Sequence, residues 1–401
     1  MIKGKDIIII GIQAWDVEIG SNCKNIATEF AKYNRVLYVN NPLNLFDFFK
    51  RKKLEPIAKR KRIVYGKENG LIQISENLWE FNPKTVFSPT NRIKQNYLFD
   101  ILTRYNAKKI SDEILRAITV LNFKDYILFN DSSMFLGDRI RALLNPNSSI
   151  YYIRDNLVNS PFSYWRLHGR RYESQLIKNV DVVVTNSLYY TEYAREFNPN
   201  SHMVGQGCDV SLFDFKLQQI NEAEELTLIK KPIIGYVGYL TSIRLDINLL
   251  EFLAKSRTDW NIVLVGPEDN AFTRCKLHGY ANIHFLGAQD VNRLPEYIKA
   301  FDVCINPQLL NETTKGNYPR KIDEYLAMGK PVVATTTIAM AYFKDWVYLA
   351  ETKEDYLKLI EKAITENSII LTDSRREYAL THSWENNVKN ISQALATIKF
   401  D

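Results

Sequence analysis

The sequence predicts an α/β protein made of two doubly wound domains in tandem. Three observations carry this. Short apolar runs alternate with segments of helical periodicity along most of the 401 residues. The runs are apolar throughout rather than on alternate positions, as parallel strands buried on both faces require. A polar stretch near residues 216–230 separates the runs into two series, each long enough for its own core.

The first series reads "KDIIIIGI" (5–12), "RVLYVN" (35–40), "YILFN" (126–130), "SIYYIR" (149–154) and "DVVVTN" (181–186). Helical segments such as "NCKNIATEFAKY" and "YWRLHGRRYESQLIKN" lie between them. "LIQISENLWEFNP" (71–83) predicts an antiparallel hairpin turning at Ser75–Asn77. The second series reads "PIIGYVG" (232–238), "NIVLVG" (261–266), "NIHFLG" (282–287), "DVCINP" (302–307) and "PVVAT" (331–335). "HSWENNVKNISQALATIKF" predicts a closing amphipathic helix. The expected division is 1–210, 211–375 and a terminal helix within 376–401 that packs back toward the first domain. Ligands of open parallel sheets lie at the carboxyl ends of strands, so two such domains facing each other would form a cleft from those ends. The loops to inspect follow Ile10, Arg154, Val237 and Ile305.

Composition narrows the function classes. A hydrophobic share of 46% with 24% charged residues is that of a globular protein. The "IIII" run at 7–10 is too short for a secretory core or a membrane span. Four scattered cysteines without a Cys-x-x-Cys pair favour a reducing compartment and no structural zinc. Of five histidines only His278 and His284 are near one another, at a turn-to-strand junction that suits a structural role. The net charge of +6 shows no basic stripe of the kind nucleic acid requires.

"KGNYPRKIDEYLAMGKPVVATTT" (315–337) reads as a turn, a short helix, a Gly-Lys-Pro stop and a buried strand. Asn317 is the expected N-cap, Pro319 fits the first turn, and Gly329 ends the helix. Arg320 and Lys321 fall at the end where the helix macrodipole disfavours cations, which calls for an anionic partner. A diphosphate supplies one: Lys321 neutralises it, and Glu324 on the same face accepts hydrogen bonds from ribose hydroxyls. Spacing alone admits a surface ion pair equally well.

"DVCINPQLLNETTKGNYPRKIDEYLAMGKPVVAT", with "GYVGYL" upstream, resembles the donor-binding half of GT-B glycosyltransferases of the family-4 (group 1) type. Within that group it resembles bacterial teichuronic acid and capsular polysaccharide glycosyltransferases and the membrane-associated glucuronosyltransferase of xanthan assembly. The resemblance is strong over 232–336, moderate over 149–214 and weak before that. It implies two Rossmann-like domains facing a central cleft, with the acceptor on the first and the donor on the second. It implies transfer from a nucleotide-diphosphate sugar, UDP-linked, to a lipid-linked or polysaccharide acceptor in cell-surface glycan synthesis. The donor is a co-substrate and no cofactor is implied. Glu324 matches the ribose-binding second glutamate of the family's Glu, seven residues, Glu motif, and Lys321 matches a phosphate-binding lysine of the xanthan enzyme. The first motif glutamate falls at Gly316, a departure that leaves retention or inversion open; Glu312 stands nearby.

Other loops add candidates. Gly238 lets the backbone approach a phosphate and Arg244 can neutralise it, as in the family's basic pair. "VGQGCDVSLF" (204–213) resembles the family's Gly-x-Asp segment, where Gly207 would meet the donor. Asp155, at the carboxyl end of a strand, suits a general base for the acceptor hydroxyl, as in the xanthan enzyme. A helix N-cap is the alternative for Asp155. Asp16, in the first strand-to-helix loop with Glu18 and Gly20, is the second candidate base. No Asp-x-Asp pair occurs, so metal-independent transfer is expected, with no metal site.

Residues 41–62 carry eight basic residues in two clusters, 50–53 and 59–62. Phe46, Phe48 and Phe49 immediately before Lys50, Arg51, Lys52 and Lys53 suggest insertion beside anionic headgroups. The expectation is a cytoplasmic protein, peripheral on the inner face of the plasma membrane. Two rival readings stand beside the transferase: a sugar-nucleotide epimerase of the same fold, and a non-catalytic scaffold, which the glycine at 316 favours.

Overall fold

The computed structural model describes residues 1–16, 22–49, 54–159, 163–217 and 219–397. The chain divides into two compact units, Met1–Gly205 with Asn387–Asp401, and Gln206–Asn386.

The first unit contains β1 (Asp6–Gly11), β2 (Arg35–Val39), β3 (Leu43–Asn44), β4 (Leu71–Ser75), β5 (Leu78–Phe81), β6 (Val86–Phe87), β7 (Ile127–Asp131), β8 (Ser148–Ile153), β9 (Val182–Thr185) and β10 (Ser201–Met203). Eight of them form one sheet in the order β10-β9-β8-β7-β1-β2-β5-β4, and β3 pairs with β6 apart from it. Every pair in the large sheet is parallel except the β4–β5 hairpin. Ile7 to Ile10 are all buried, because β1 lies inside the sheet with helices on both faces. The helix Asn96–Leu121 covers one face through Ile110, Ile114 and Ile118.

The second unit contains β11 (Ile233–Val237), β12 (Asn261–Val265), β13 (Ile283–Phe285), β14 (Val303–Asn306), β15 (Val332–Thr335) and β16 (Tyr348–Ala350). The sheet order is β13-β12-β11-β14-β15-β16, with every pair parallel. Counted within the unit this is 3-2-1-4-5-6, the doubly wound arrangement whose order reverses between its first and fourth strands. The crevice of such a sheet opens between the loops after β11 and β14, which fixes where a ligand belongs in this unit.

Four short strands, β3, β6, β10 and β16, are absent from the sequence reading, as each offers only two or three residues to a periodicity test. The expected closing helix proves to be two, Ile369–Leu380 and Trp384–Ala396. From Asn387 on, the last helix belongs to the first unit: Asn387 Nδ2 donates to the carbonyls of Val204 and Gly205 at 3.2 and 3.0 Å.

The middle of β11 tests the packing of the second sheet. A Cβ on Gly235 would stand 2.0–2.2 Å from the ring of Phe301. Gly235→Ala is therefore expected to lower stability by about 3 kcal/mol, as overpacking in a closed core does. A denaturant midpoint unchanged from wild type would show that the ring yields.

Candidate active site

In the second unit the candidate residues Lys321, Glu324, Gly238 and Arg244 lie on the loops and helix after β11 and β14. The helix following β14 runs Lys321–Ala327, and Ile322, Tyr325 and Leu326 are wholly buried on its core side. The Tyr325 hydroxyl accepts the Val237 N–H at 2.7 Å, which fixes the helix to the last residue of β11. Asp323 is buried too, accepting from the Tyr318 hydroxyl at 2.9 Å and meeting His382 Nδ1 at 2.6 Å. These contacts leave Lys321 and Glu324 on the side facing away from the core.

Lys321 turns to β11. Its ammonium donates to the Tyr236 hydroxyl and lies 4.0 Å from the centre of that ring. A Cβ on Gly238 would sit 2.9 Å from Lys321 Nζ, and Gly238 adopts φ +140, which other residues rarely tolerate. The backbone thus calls for glycine, while a Cβ there would have to displace only the flexible tip of Lys321. Burial lowers the Lys321 pKa to about 7, Glu324 opposes that shift, and Arg244 adds to it. Arg244 is exposed on the loop after β11, with its carbonyl accepting the Leu309 N–H at 2.8 Å from the loop after β14. Two cations therefore face one another's field at the end of β11 with the glycine between strand and helix.

Glu324 is buried, which raises its pKa, and Arg320 Nε meets its Oε1 at 3.1 Å. The ion pair on this helix is thus Arg320 with Glu324, while Lys321 engages Tyr236. Tyr236 is the residue the sequence reading missed here; its sign is an aromatic two positions before the strand-ending glycine.

Two donor-side expectations need correction. Asn317 is not the N-cap: the helix starts at Lys321, Arg320 holds the cap position, and the Asn317 N–H donates to Thr314 in a preceding turn. Tyr318, ahead of Pro319, is disfavoured in helical geometry, so the helix cannot begin as early as Asn317 would need. Gly207 is buried beneath Trp384, whose indole a Cβ would approach to 2.3 Å, so packing is a sufficient reason for that glycine. Glu312 is exposed and paired with Lys315 at 2.7 Å.

In the first unit the carboxyl end of β8 carries Arg154 and Asp155. Arg154 Nε donates to Oδ1 of the fully buried Asp131 at 2.9 Å, and its Nη1 reaches Asp155 Oδ2 at 3.3 Å. Asp131, which directly follows "YILFN", thus anchors the guanidinium from beneath. Sequence reading passed over it, although an aspartate closing a buried strand was its visible sign. A 3-10 turn, Leu157–Asn159, follows Asp155, and the next helix is Ser163–Asn179. The half-buried Asp155 carboxylate lines a cavity of about 300 Å³ with residues of the two succeeding helices. Asp16, by contrast, is held in an ion pair with Arg60. Glu18 and Gly20 lie outside the described residues.

The basic, aromatic stretch divides. Phe46 and Phe49 are exposed at 47% and 74%, whereas Phe48 is half-buried, its ring 5.4 Å from that of Phe49 and 5.6 Å from that of Tyr65. Lys50, Arg51, Lys52 and Lys53 lie outside the described residues. In the second cluster Lys59 pairs with Glu80, Arg60 with Asp16, and Arg62 with Glu55 and Glu68. Those cations are spoken for within the protein and do not add to a headgroup-binding surface. Among the described residues no helix is long and apolar enough to cross a membrane, and no group of three His, Cys, Asp or Glu is placed to hold a metal ion.

Comparison with known proteins agrees with this geometry. Residues 231–365 match the family described as Glycosyl transferases group 1. A stretch of 225 residues is 25% identical to TuaH of Bacillus subtilis, named for a glycosyltransferase of teichuronic acid biosynthesis. That stretch covers 53% of this chain and 56% of the relative, so the match spans about half of each. Among solved structures, HepE of Anabaena in complex with UDP superposes over 98% of this chain and 100% of its own, with a TM-score of 0.66 at 15% identity. Sucrose-phosphate synthase of Thermosynechococcus elongatus does so over 98% and 99%, with a TM-score of 0.66 at 14% identity. At such identities the likeness is one of fold. In sequence, then, residues 231–365 match the group 1 glycosyl transferase family, and the chain as a whole carries the fold of GT-B glycosyltransferases.

Proposed function

We propose that this protein is a glycosyltransferase that moves a sugar from a UDP-linked donor to a lipid-linked or glycan acceptor in cell-surface glycan synthesis. The observation that carries the reading is the ammonium of Lys321, half-buried against Tyr236 and Gly238 at the reversal of the second sheet. Among the described residues that ammonium forms no ion pair, Glu324 being paired with Arg320, and an arriving diphosphate would supply one. Arg244 supplies the second positive charge, and Glu324 accepts from the ribose hydroxyls. Solved complexes of HepE with UDP and with UDP-glucose make uridine the first nucleotide to test.

In the reaction, Asp155 takes the proton of the acceptor hydroxyl as its oxygen bonds to the anomeric carbon of the donor. The bond from that carbon to the diphosphate oxygen breaks, and UDP leaves with its new negative charge facing Lys321 and Arg244. Each carboxylate already meets an arginine, Asp155 with Arg154 and Asp16 with Arg60, and Asp155 is preferred because it lines a cavity at the end of β8. The charges on the diphosphate are met by side chains, so the reading is one of metal-independent transfer. Phe46 and Phe49 would seat the protein peripherally on an anionic bilayer, where a lipid-linked acceptor is found.

Calorimetry with UDP tests the donor site. Lys321→Met is expected to weaken binding about tenfold or more, the worth of one charge-assisted hydrogen bond. The free lysine titrates at about 7 and the bound diphosphate raises that value, so binding takes up a proton above pH 7. Wild-type affinity should accordingly fall between pH 7 and 9, by at most about tenfold per unit, and Lys321→Met should show no such slope. Equal affinity and equal slope in both proteins would remove Lys321 from the site.

Asp155→Asn should leave UDP binding within about twofold and lower transfer to membrane-derived acceptors by roughly 10²–10⁴. Full transfer by this variant would end its role as base. Partition onto vesicles containing phosphatidylglycerol should drop about tenfold or more in Phe46→Ser/Phe49→Ser, since each exposed ring forfeits on the order of 1 kcal/mol of apolar burial. Unchanged partition would place the membrane contact elsewhere.

A further inference from the structure

The cavity beside Asp155 has a composition that the transfer reaction alone does not require. Two stripes line it. On the helix Ser163–Asn179, Arg166, Arg170 and Glu173 recur at four and three residues and so share a face. On the helix Leu188–Arg195, Tyr189 and Tyr193 stand one turn apart. Asp155 closes the end nearest β8.

The arginines differ from their neighbour. Arg171 is committed to Asp100 at 2.8 Å, whereas neither Arg166 nor Arg170 forms an ion pair among the described residues, and both are exposed. Glu173, the one carboxyl on their face, is only 3% exposed, and its oxygens accept from the hydroxyls of Tyr151 and Tyr193 at 2.8 and 3.2 Å. It is turned inward to tyrosines and leaves the guanidinium forks unmatched. Burial also raises its pKa to about 7, which reduces the negative charge it would set against an anion. Tyrosine rings add broad apolar faces with polar tips, a surface suited to the flat face of a pyranose.

We propose that this cavity is the acceptor subsite and that it selects a sugar bearing an anionic group, a carboxylate or a phosphate ester. Arg166 and Arg170 hold that group through the planar forks that match both anions. Tyr189 and Tyr193 pack against the ring, and the neighbouring hydroxyl is brought to the side where Asp155 lies. The assignment rests on the transferase reading for the identity of the ligand as acceptor, but the anion preference is a property of the cavity itself.

Calorimetric titrations with glucuronate, glucose 1-phosphate and methyl glucoside, all in saturating UDP so that the donor site is closed, test it. At least one of the two anions is expected to bind wild-type protein at least tenfold more tightly than methyl glucoside. Preference for glucuronate alone identifies a carboxylate, and preference for glucose 1-phosphate alone a phosphate. Arg166→Gln/Arg170→Gln should abolish the margin with UDP affinity unchanged, which also reports that the variant is folded. Equal binding of all three sugars, or a margin that survives the double substitution, overturns the proposal while leaving the transferase reading standing. An anion margin lost in the double variant of a protein that does not bind UDP would sink the transferase reading and keep the cavity as an anionic-sugar site.

Discussion

An ammonium group half-withdrawn from water at the end of a parallel strand organises the second unit. Lys321 reaches Tyr236 across Gly238, whose departure from the strand at φ +140 favours glycine there. Its helix must also be held in register with β11, which the Tyr325 hydroxyl does through Val237. Beneath it, Asp323 is fixed by Tyr318 and His382, so the helix cannot roll to return the lysine to solvent. Holding the charge there opposes folding. The cost is full below about pH 7 and is relieved as pH rises from there toward the ordinary lysine value, because only the unfolded chain then keeps the proton. Such a cost at the end of a strand is what the proposed donor site would offset by bringing an anion to the lysine.

The first unit uses the same device with the signs exchanged. Asp131 closes β7 fully buried, Arg154 closes β8 above it, and the guanidinium bridges from Asp131 to Asp155. A buried carboxylate is costly alone, and the arginine that offsets it becomes fixed in one orientation. Its second contact then presents the Asp155 carboxylate at the rim of a cavity rather than letting it swing in solvent. In both units a pair of strand ends does the positioning, and the loop residue that would meet substrate is borrowed from the second strand or the helix after it.

How far the sequence discloses this depends on the range of the interaction. The ten strands expected from apolar runs are all present, because burial on both faces leaves its mark on consecutive residues. The Ile322, Tyr325, Leu326 face was legible for a similar reason, through helical spacing. Asn317 misled because a capping residue type is common in turns, and the competing signal, Pro319 acting on Tyr318, is a backbone restriction rather than a preference. Gly207 misled because a glycine before a phosphate and a glycine under an indole look alike until Trp384, far along the chain, is placed on it. Tyr236 and Asp131 escaped notice since each acts on a residue from another strand or helix.

Charge runs show the limit most clearly. Eight basic residues between 41 and 62 read as one surface when counted along the chain. In space, Lys59 reaches Glu80 on β5 and Arg60 reaches Asp16 after β1, so the second cluster binds the helix Glu55–Val64 to its own unit. Exposed ion pairs contribute little, but Glu80 is buried and shares its carboxylate with Asn40 and Asn82 as well. The lysine there offsets the burial of a carboxylate and is not spare charge. The proposed membrane contact is therefore left to Phe46 and Phe49, and the same pairing criterion separates Arg166 and Arg170, which line the cavity beside Asp155, from Arg171. What distinguishes a binding cation from a structural one is whether the fold has already given it a carboxylate, and that is decided by contacts tens of residues apart.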